Sequence, residues 1–159
     1  MKRKRLDDTQ CPIARSLEHV GEWWSIMILR DALYGYTRFD EFQESLGIAP
    51  NMLTKRLNSL VESGLLERRL YNAHPPRYEY VPTAKGRDFR PVLIALLAWG
   101  NRHLAPEGKA VVLTEAKTGK AADPILVDRV SGKPVTERDF VFRAGPAANA
   151  RIRRRYAAH

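Results

Sequence analysis

The sequence contains one cysteine, Cys11, so an intrachain disulfide and any zinc site built from several thiolates are excluded and a reducing compartment is the default. Nowhere do apolar residues run for the ~18 positions that a membrane span needs. The stretch Met1–Asp8 is basic and lacks the apolar segment of a secretion signal. A soluble, cytoplasmic protein with no membrane partner is therefore expected. The four histidines, His19, His74, His103 and His159, are scattered without metal-ligand spacing. No Gly-rich phosphate loop, Ser/His/Asp arrangement or paired-carboxylate motif occurs. These absences predict a non-enzyme with no catalytic residue, metal or cofactor. Acidic residues are also scarce: 18 Asp+Glu face 27 Lys+Arg, giving a net charge of +9. Such a balance suggests a polyanion partner, although ribosomal, membrane-surface and merely basic soluble proteins share it.

At 159 residues, with 44% hydrophobic and 28% charged, the chain is long enough for one cored domain plus an appendage. Its charge is uneven. Residues 1–10 form a basic arm with four basic and two acidic residues, 11–105 carry twelve and ten, and 106–159 carry eleven and six. The segment holding the long apolar patterns is thus nearly neutral, and nucleic-acid recognition would have to work by local placement of charge.

Ile13, Leu17 and Val20 recur at spacings of four and three, behind Pro12 and ahead of Gly21, which predicts a short helix. Trp23–Leu33 is too uniformly apolar for a surface helix and reads as a buried central one that ends before Gly35. Thr37, with Asp40 three residues on, is the expected cap of a two-turn helix bearing Phe39, Phe42 and Leu46 and stopping at Gly47. After a tight link, Pro50 starts a helix of about Asn51–Ser63, with Leu53, Leu57, Leu60 and Val61 inward and Gly64 as its stop. Two helices so linked make a helix-turn-helix candidate. Leu65–Tyr71 and Arg77–Val81 predict a hairpin with an extended tip over residues 72–76. Thr83 caps a long helix to about His103, apolar on two sides and expected to kink at Pro91. A helix of that kind wants two partners, the core and plausibly a second copy of the chain.

Beyond Ala105–Gly108 lie β-like runs at Val111–Leu113, Ile125–Val127 and Phe140–Phe142, with faintly similar turns at Thr118-Gly119-Lys120 and Ser131-Gly132-Lys133. They predict a small β-rich C-terminal extension over 106–143, followed by a basic, disordered tail over 144–159. The fold class is therefore mainly α with a β-hairpin wing, a winged helix-turn-helix, plus that extension.

A helix that reads the major groove needs one apolar face to seat it and an opposite face of donors and acceptors. Opposite Leu53, Leu57 and Leu60 stand Asn51, Thr54, Lys55 and Asn58, bordered by Met52 and Arg56, with no acid before Glu62. An ordinary solvated polar face is the alternative for this helix taken alone. Cys11-Pro12-Ile13, Gly21–Arg30, Arg38–Phe42, Ile48–Leu57, Gly64–Arg68, Pro75–Tyr80 and Thr83–Gly86 occur in unbroken order. Together they resemble the HxlR-type transcriptional regulators, a bacterial branch of the MarR-like winged helices, over residues 11–105. The resemblance implies a homodimer held by the first and last helices of that domain, binding a roughly palindromic operator in double-stranded DNA, more as repressor than activator. Ala49 departs from the family's usual Ser cap, and Glu22 and Trp23 from its usual small residue and Lys.

Carried onto this chain, the resemblance assigns Asn51, Thr54, Lys55 and Asn58 to the major groove, with Met52 at the border of that DNA-binding face. Arg38 and Arg56 clamp phosphates or brace the motif, and Arg77 serves the wing. The alternatives are a structural ion pair for Arg56 and a solvated turn charge for Arg77. Cys11 resembles a cysteine through which relatives sense electrophiles or oxidants, and a helix N-terminus lowers a thiol pKa; a small buried hydrophobe is the competing role. Trp23, Trp24 and Met27 line either a ligand cavity or simply the core. The extension resembles one of zinc-ribbon ancestry but has no cysteine, so no metal is expected there. A protein-interaction or RNA-associated winged helix is the rival function.

Overall fold

The computed structural model describes residues 10–157; the basic arm, apart from Gln10, lies outside them. The helices are α1 (Pro12–Val20), α2 (Trp23–Tyr34), α3 (Phe39–Leu46), α4 (Pro50–Glu62), α5 (Ala84–Arg87), α6 (Arg90–His103) and α7 (Ala150–Tyr156), and β1 (Leu66–Ala73) pairs antiparallel with β2 (Pro76–Pro82). This is the winged helix-turn-helix order. The chain divides into two compact units after Leu93, inside α6.

The first unit is built on a single apolar cluster. Ile28 and Leu29 of α2, Phe42 of α3, Leu53, Leu57 and Leu60 of α4, and Leu66 of β1 are essentially inaccessible, with Val20, Ala32, Ile48 and Leu65 around them. Trp24, Phe39, Val61, Tyr80 and Phe89 close its margins. Inside this core stands one carboxylate, Asp31, which accepts hydrogen bonds from Arg30 Nε and from Ser45 Oγ, each at 2.7 Å. A buried charge is tolerated when so paired, and here the pairing also ties α2 to α3.

Three local expectations change. The N-cap of α3 is Arg38, and the acid that closes it is Glu41 in place of Asp40: Glu41 Oε2 accepts from the backbone N–H groups of Thr37 and Arg38, both at 2.8 Å. These two bonds, Arg38's first, hold the Glu41 carboxyl below its ordinary pKa. The long helix after Thr83 does not kink at Pro91; it breaks at Asp88–Phe89, and Pro91 is the second residue of α6. Proline lacks the N–H that a helix interior requires but fits a first turn. The hairpin strands reach Ala73 and Pro76, so its tip is the two residues His74-Pro75 and not a five-residue loop.

In the second unit the β content is smaller than expected. No strand forms at 111–113, 125–127 or 140–142; the β structure consists of isolated bridges, Thr114–Ala121 and Val127–Pro134. The two bridges close turns of the same design. Glu115 N donates to Lys120 O, Gly119 N to Glu115 O and Ala122 N to Leu113 O; thirteen residues on, Asp128 N donates to Lys133 O, Gly132 N to Asp128 O and Val135 N to Leu126 O. Gly119 and Gly132 have φ of 68° and 70°, the left-handed region that glycine enters without penalty. The faint sequence likeness of these turns is thus a thirteen-residue structural repeat. The tail expected to be disordered contains α7, capped by Asn149, whose side chain accepts from Ile152 N at 3.0 Å.

Candidate nucleic-acid interface

α4 is positioned by its buried leucines, which leave the opposite face free. Asn51, Thr54, Lys55 and Asn58 recur at spacings of three, one and three residues, so they share one side of the helix, and all are exposed, as is Met52 at 36%. Along that side no acid precedes Glu62. Thr54 Oγ1 donates to Pro50 O at 2.9 Å, which leaves its lone pairs and methyl group outward. Ala49 at the N-cap supplies no side-chain acceptor, so the first N–H groups of α4 stay open at the end of the helix where anions are favoured.

Arg56 is placed differently. Its guanidinium is turned from the polar face onto Glu22 at 3.1 Å, with 14% of its side chain accessible and its Nε buried without a hydrogen-bond partner. A cation held by a carboxylate and mostly packed away from solvent fits the bracing role expected as one alternative for Arg56, here joining α4 to the start of α2. Glu22 supplies the other half of the brace.

The hairpin bears the remaining cations. Tyr80 N donates to Thr37 O at 2.7 Å and Arg38 forms a bridge with Glu79, so the segment before α3 is tied to β2 by a single bridge. Arg38 therefore sits by the wing, its guanidinium 4.9 Å from the centre of the Tyr71 ring. Arg77 pairs with Asn72 one rung from the tip and is exposed. Sequence reasoning passed over Arg68 and Arg69, both exposed on β1. Arg68 lies 4.4 Å from the Tyr78 ring centre, and Arg69 pairs with Glu67. The alternation of arginine with tyrosine across the two strands was the available signal, since a guanidinium over a ring is oriented without losing its charge. Asn58 and Arg68, with Val61 and Glu62, line a shallow groove of about 200 Å³ that connects α4 to β1. The arrangement offers amides, a hydroxyl and one ammonium on a helix, flanked by an arginine-studded hairpin.

Cys11 is the N-cap of α1 and is half-buried. Trp23 stacks on Trp24 with ring centres 3.9 Å apart and is 62% exposed, so only Trp24 belongs to the core margin. Among the described residues no group of three or more His, Cys, Asp or Glu side chains could hold a metal, and no helix is long and apolar enough to cross a membrane.

Residues 19–108 match the family described as HxlR-like helix-turn-helix. An HTH-type transcriptional regulator of Mycobacterium tuberculosis is 38% identical over 141 residues, covering 88% of this chain and 89% of that protein. Among solved structures, a candidate transcription factor from Pseudomonas aeruginosa is 58% identical, with a TM-score of 0.67 over 91% of this chain and 99% of that one. The redox regulator HypR in its reduced form is 30% identical, with a TM-score of 0.56 over 61% of this chain and 99% of that one. The relatives are regulators and not enzymes. With more than half of its length matched and its helix-turn-helix and wing in the expected order, this chain belongs to the HxlR-like helix-turn-helix family of transcriptional regulators.

Proposed function

We propose that the protein is a homodimeric repressor that binds a palindromic operator in double-stranded DNA. The observation that carries this reading is the exposed, acid-free face of α4, Asn51, Thr54, Lys55 and Asn58, beside Arg38 and a hairpin bearing Arg68 and Arg77. In it α4 enters the major groove, where Asn51 and Asn58 offer amide pairs suited to adenine edges and Met52 an apolar contact for a thymine methyl. Lys55 and the wing arginines hold the backbone. Dimerisation is supported by apolar side chains that the single chain leaves in water: Ile13 and Leu17 on α1, and Leu96 and Trp99 on α6, are 45–62% exposed. A two-fold dimer presents two copies of α4, so its operator repeats in inverted sense.

Selection of genomic fragments by the purified protein tests the proposal, and an enriched inverted repeat is the expected result. An unspecific, salt-sensitive smear overturns it in favour of a winged helix that does not read sequence. On the selected operator, Lys55→Ala weakens binding and lowers the slope of log affinity against log salt by ~0.9, the share of one phosphate contact; unchanged affinity and slope remove Lys55 from the interface. The effector in this reading is an oxidant or electrophile reacting at Cys11, in keeping with the likeness to a redox regulator. Diamide or methylglyoxal then releases the wild type from operator but leaves Cys11→Ser bound, and equal insensitivity of both removes the sensor.

A further inference from the structure

The positive charge of the second unit is segregated. Residues 106–139 carry six basic and six acidic residues and are neutral, whereas residues 140–159 carry five arginines, no lysine and no acid. Four of those arginines lie on α7. The helix has two sides. Ile152 and Tyr156, four residues apart, are half-buried; Arg151, Arg154 and Arg155, at spacings of three and one, share an exposed side. Arg153 stands apart, its Nε donating to Ala148 O at 2.8 Å.

Like charges three and four residues apart repel one another along a helix. Among the described residues no carboxylate pairs with Arg151, Arg154 or Arg155. Among the described residues the face is therefore a concentrated cation without a carboxylate partner. Its chemistry also selects among anions. The neutral stretch 106–139 uses four lysines and two arginines, but the charged end uses arginine throughout. A guanidinium is the planar, bidentate, weakly hydrated donor suited to phosphate oxygens, where lysine supplies only a point charge. In a chain with a helix-turn-helix fold, the phosphates at hand are those of duplex DNA.

We propose that α7 is a second DNA-contacting element, with Arg151, Arg154 and Arg155 gripping duplex phosphates outside the base pairs read by α4. This rests on the reading of the chain as a DNA-binding protein. Contacts of this kind add affinity and salt dependence but carry no sequence information. The element is separate from the recognition helix in both chemistry and effect.

The test uses the full chain, the triple variant Arg151→Gln/Arg154→Gln/Arg155→Gln, and the corresponding triple lysine variant. Each is titrated by fluorescence anisotropy against the selected operator and a scrambled duplex at several salt concentrations, with circular dichroism to confirm retained helix. The glutamine variant is expected to lose about 2–3 from the slope of log affinity against log salt, at ~0.9 per contact, and to bind both duplexes about 10- to 100-fold more weakly at physiological salt. Its preference for operator over scrambled DNA stays the same. The lysine variant keeps the slope, since charge is retained, with an intermediate affinity. A glutamine variant that matches the wild type in affinity and slope overturns the assignment of α7 while leaving the role of α4 intact. A wild type that binds neither duplex, or prefers single-stranded RNA to both, overturns the DNA reading itself and α7 with it.

Discussion

The two units of this chain differ in the most basic requirement of a fold. Between residues 10 and 93, eleven apolar residues are buried, six of them with no accessible surface. Among residues 94–157 none is buried. Val130 is 95% exposed, Phe142 79% and Leu126 72%. Hydrophobic burial is the dominant favourable term in folding, so the first unit holds its own stability while the second relies on turn hydrogen bonds and on whatever covers its apolar surface. The recognition helix belongs to the first kind of structure. Its exposed face is fixed because its other face cannot move without opening the core.

The largest expected effect tests that asymmetry directly. Leu57→Ala deletes a fully buried side chain at the centre of α4, and destabilisation by about 2–5 kcal/mol is expected from lost transfer energy and the cavity left behind. Leu126→Ala removes a side chain of equal size from solvent and leaves the stability of the first unit unchanged. Urea unfolding followed by tryptophan fluorescence reads both, because Trp24 lies at the core margin. Were Leu126→Ala to match Leu57→Ala, the second unit would contribute to the same cooperative core and the contrast would fail.

A smaller effect separates the glycines of the two units. A Cβ on Gly86 stands 2.1 Å from Leu65 O, where α5 crosses the end of α4, and Thr83 locks the same corner by donating to Gly64 O at 2.6 Å and accepting from Gly86 N. Gly86→Ala must push backbone from backbone, and a loss of about 1–3 kcal/mol is expected. Gly145, with nothing within 4 Å of its Cβ position, accepts alanine with a change within about 0.5 kcal/mol. Thermal unfolding of the two variants ranks them.

The same asymmetry explains what the sequence made visible. Leu53, Leu57 and Leu60 announced α4 because a helix half-sunk in a core repeats its apolar side with the helical period, and its outward residues followed by subtraction. Arg56 shows the limit of subtraction: its position borders the polar face, but a carboxylate thirty-four residues earlier, Glu22, draws it inward. Long-range pairing of that kind has no local signature. Arg38 likewise sits by the wing through its bridge to Glu79, a contact made across forty-one residues. In the second unit, Val111–Leu113 and Ile125–Val127 looked like strands because β-branched runs favour extended backbone. Strands also need partners along their length, and here each turn supplies a single rung.

The smallest expected effect compares two carboxylates that do the same local work in the two units. Glu41 caps α3 by accepting from Arg38 N and Thr37 N; Asp128 closes the second turn of the extension by accepting from Ser131 Oγ at 2.6 Å and Ser131 N at 2.8 Å. In each case the hydrogen bonds favour the ionised form and lower the pKa. A carboxyl whose folded pKa lies below its unfolded value stabilises the fold above the unfolded value, about 4.5 for Glu41, and loses that contribution as the pH falls through the folded pKa. Protonating Glu41 loosens the first turn of a helix packed through Phe42 into the core, so the acid limb of global unfolding reports it. Protonating Asp128 loosens a turn with no buried residue attached, and the loss remains local. Glu41→Gln, which keeps an acceptor oxygen but cannot titrate, therefore flattens the fall in stability below about pH 4.5, whereas Asp128→Asn leaves that curve where it was and changes only the amide exchange of Ser131 and Gly132. An Asp128→Asn curve as flat as that of Glu41→Gln would mean that the extension unfolds together with α3, and the two units would then be one.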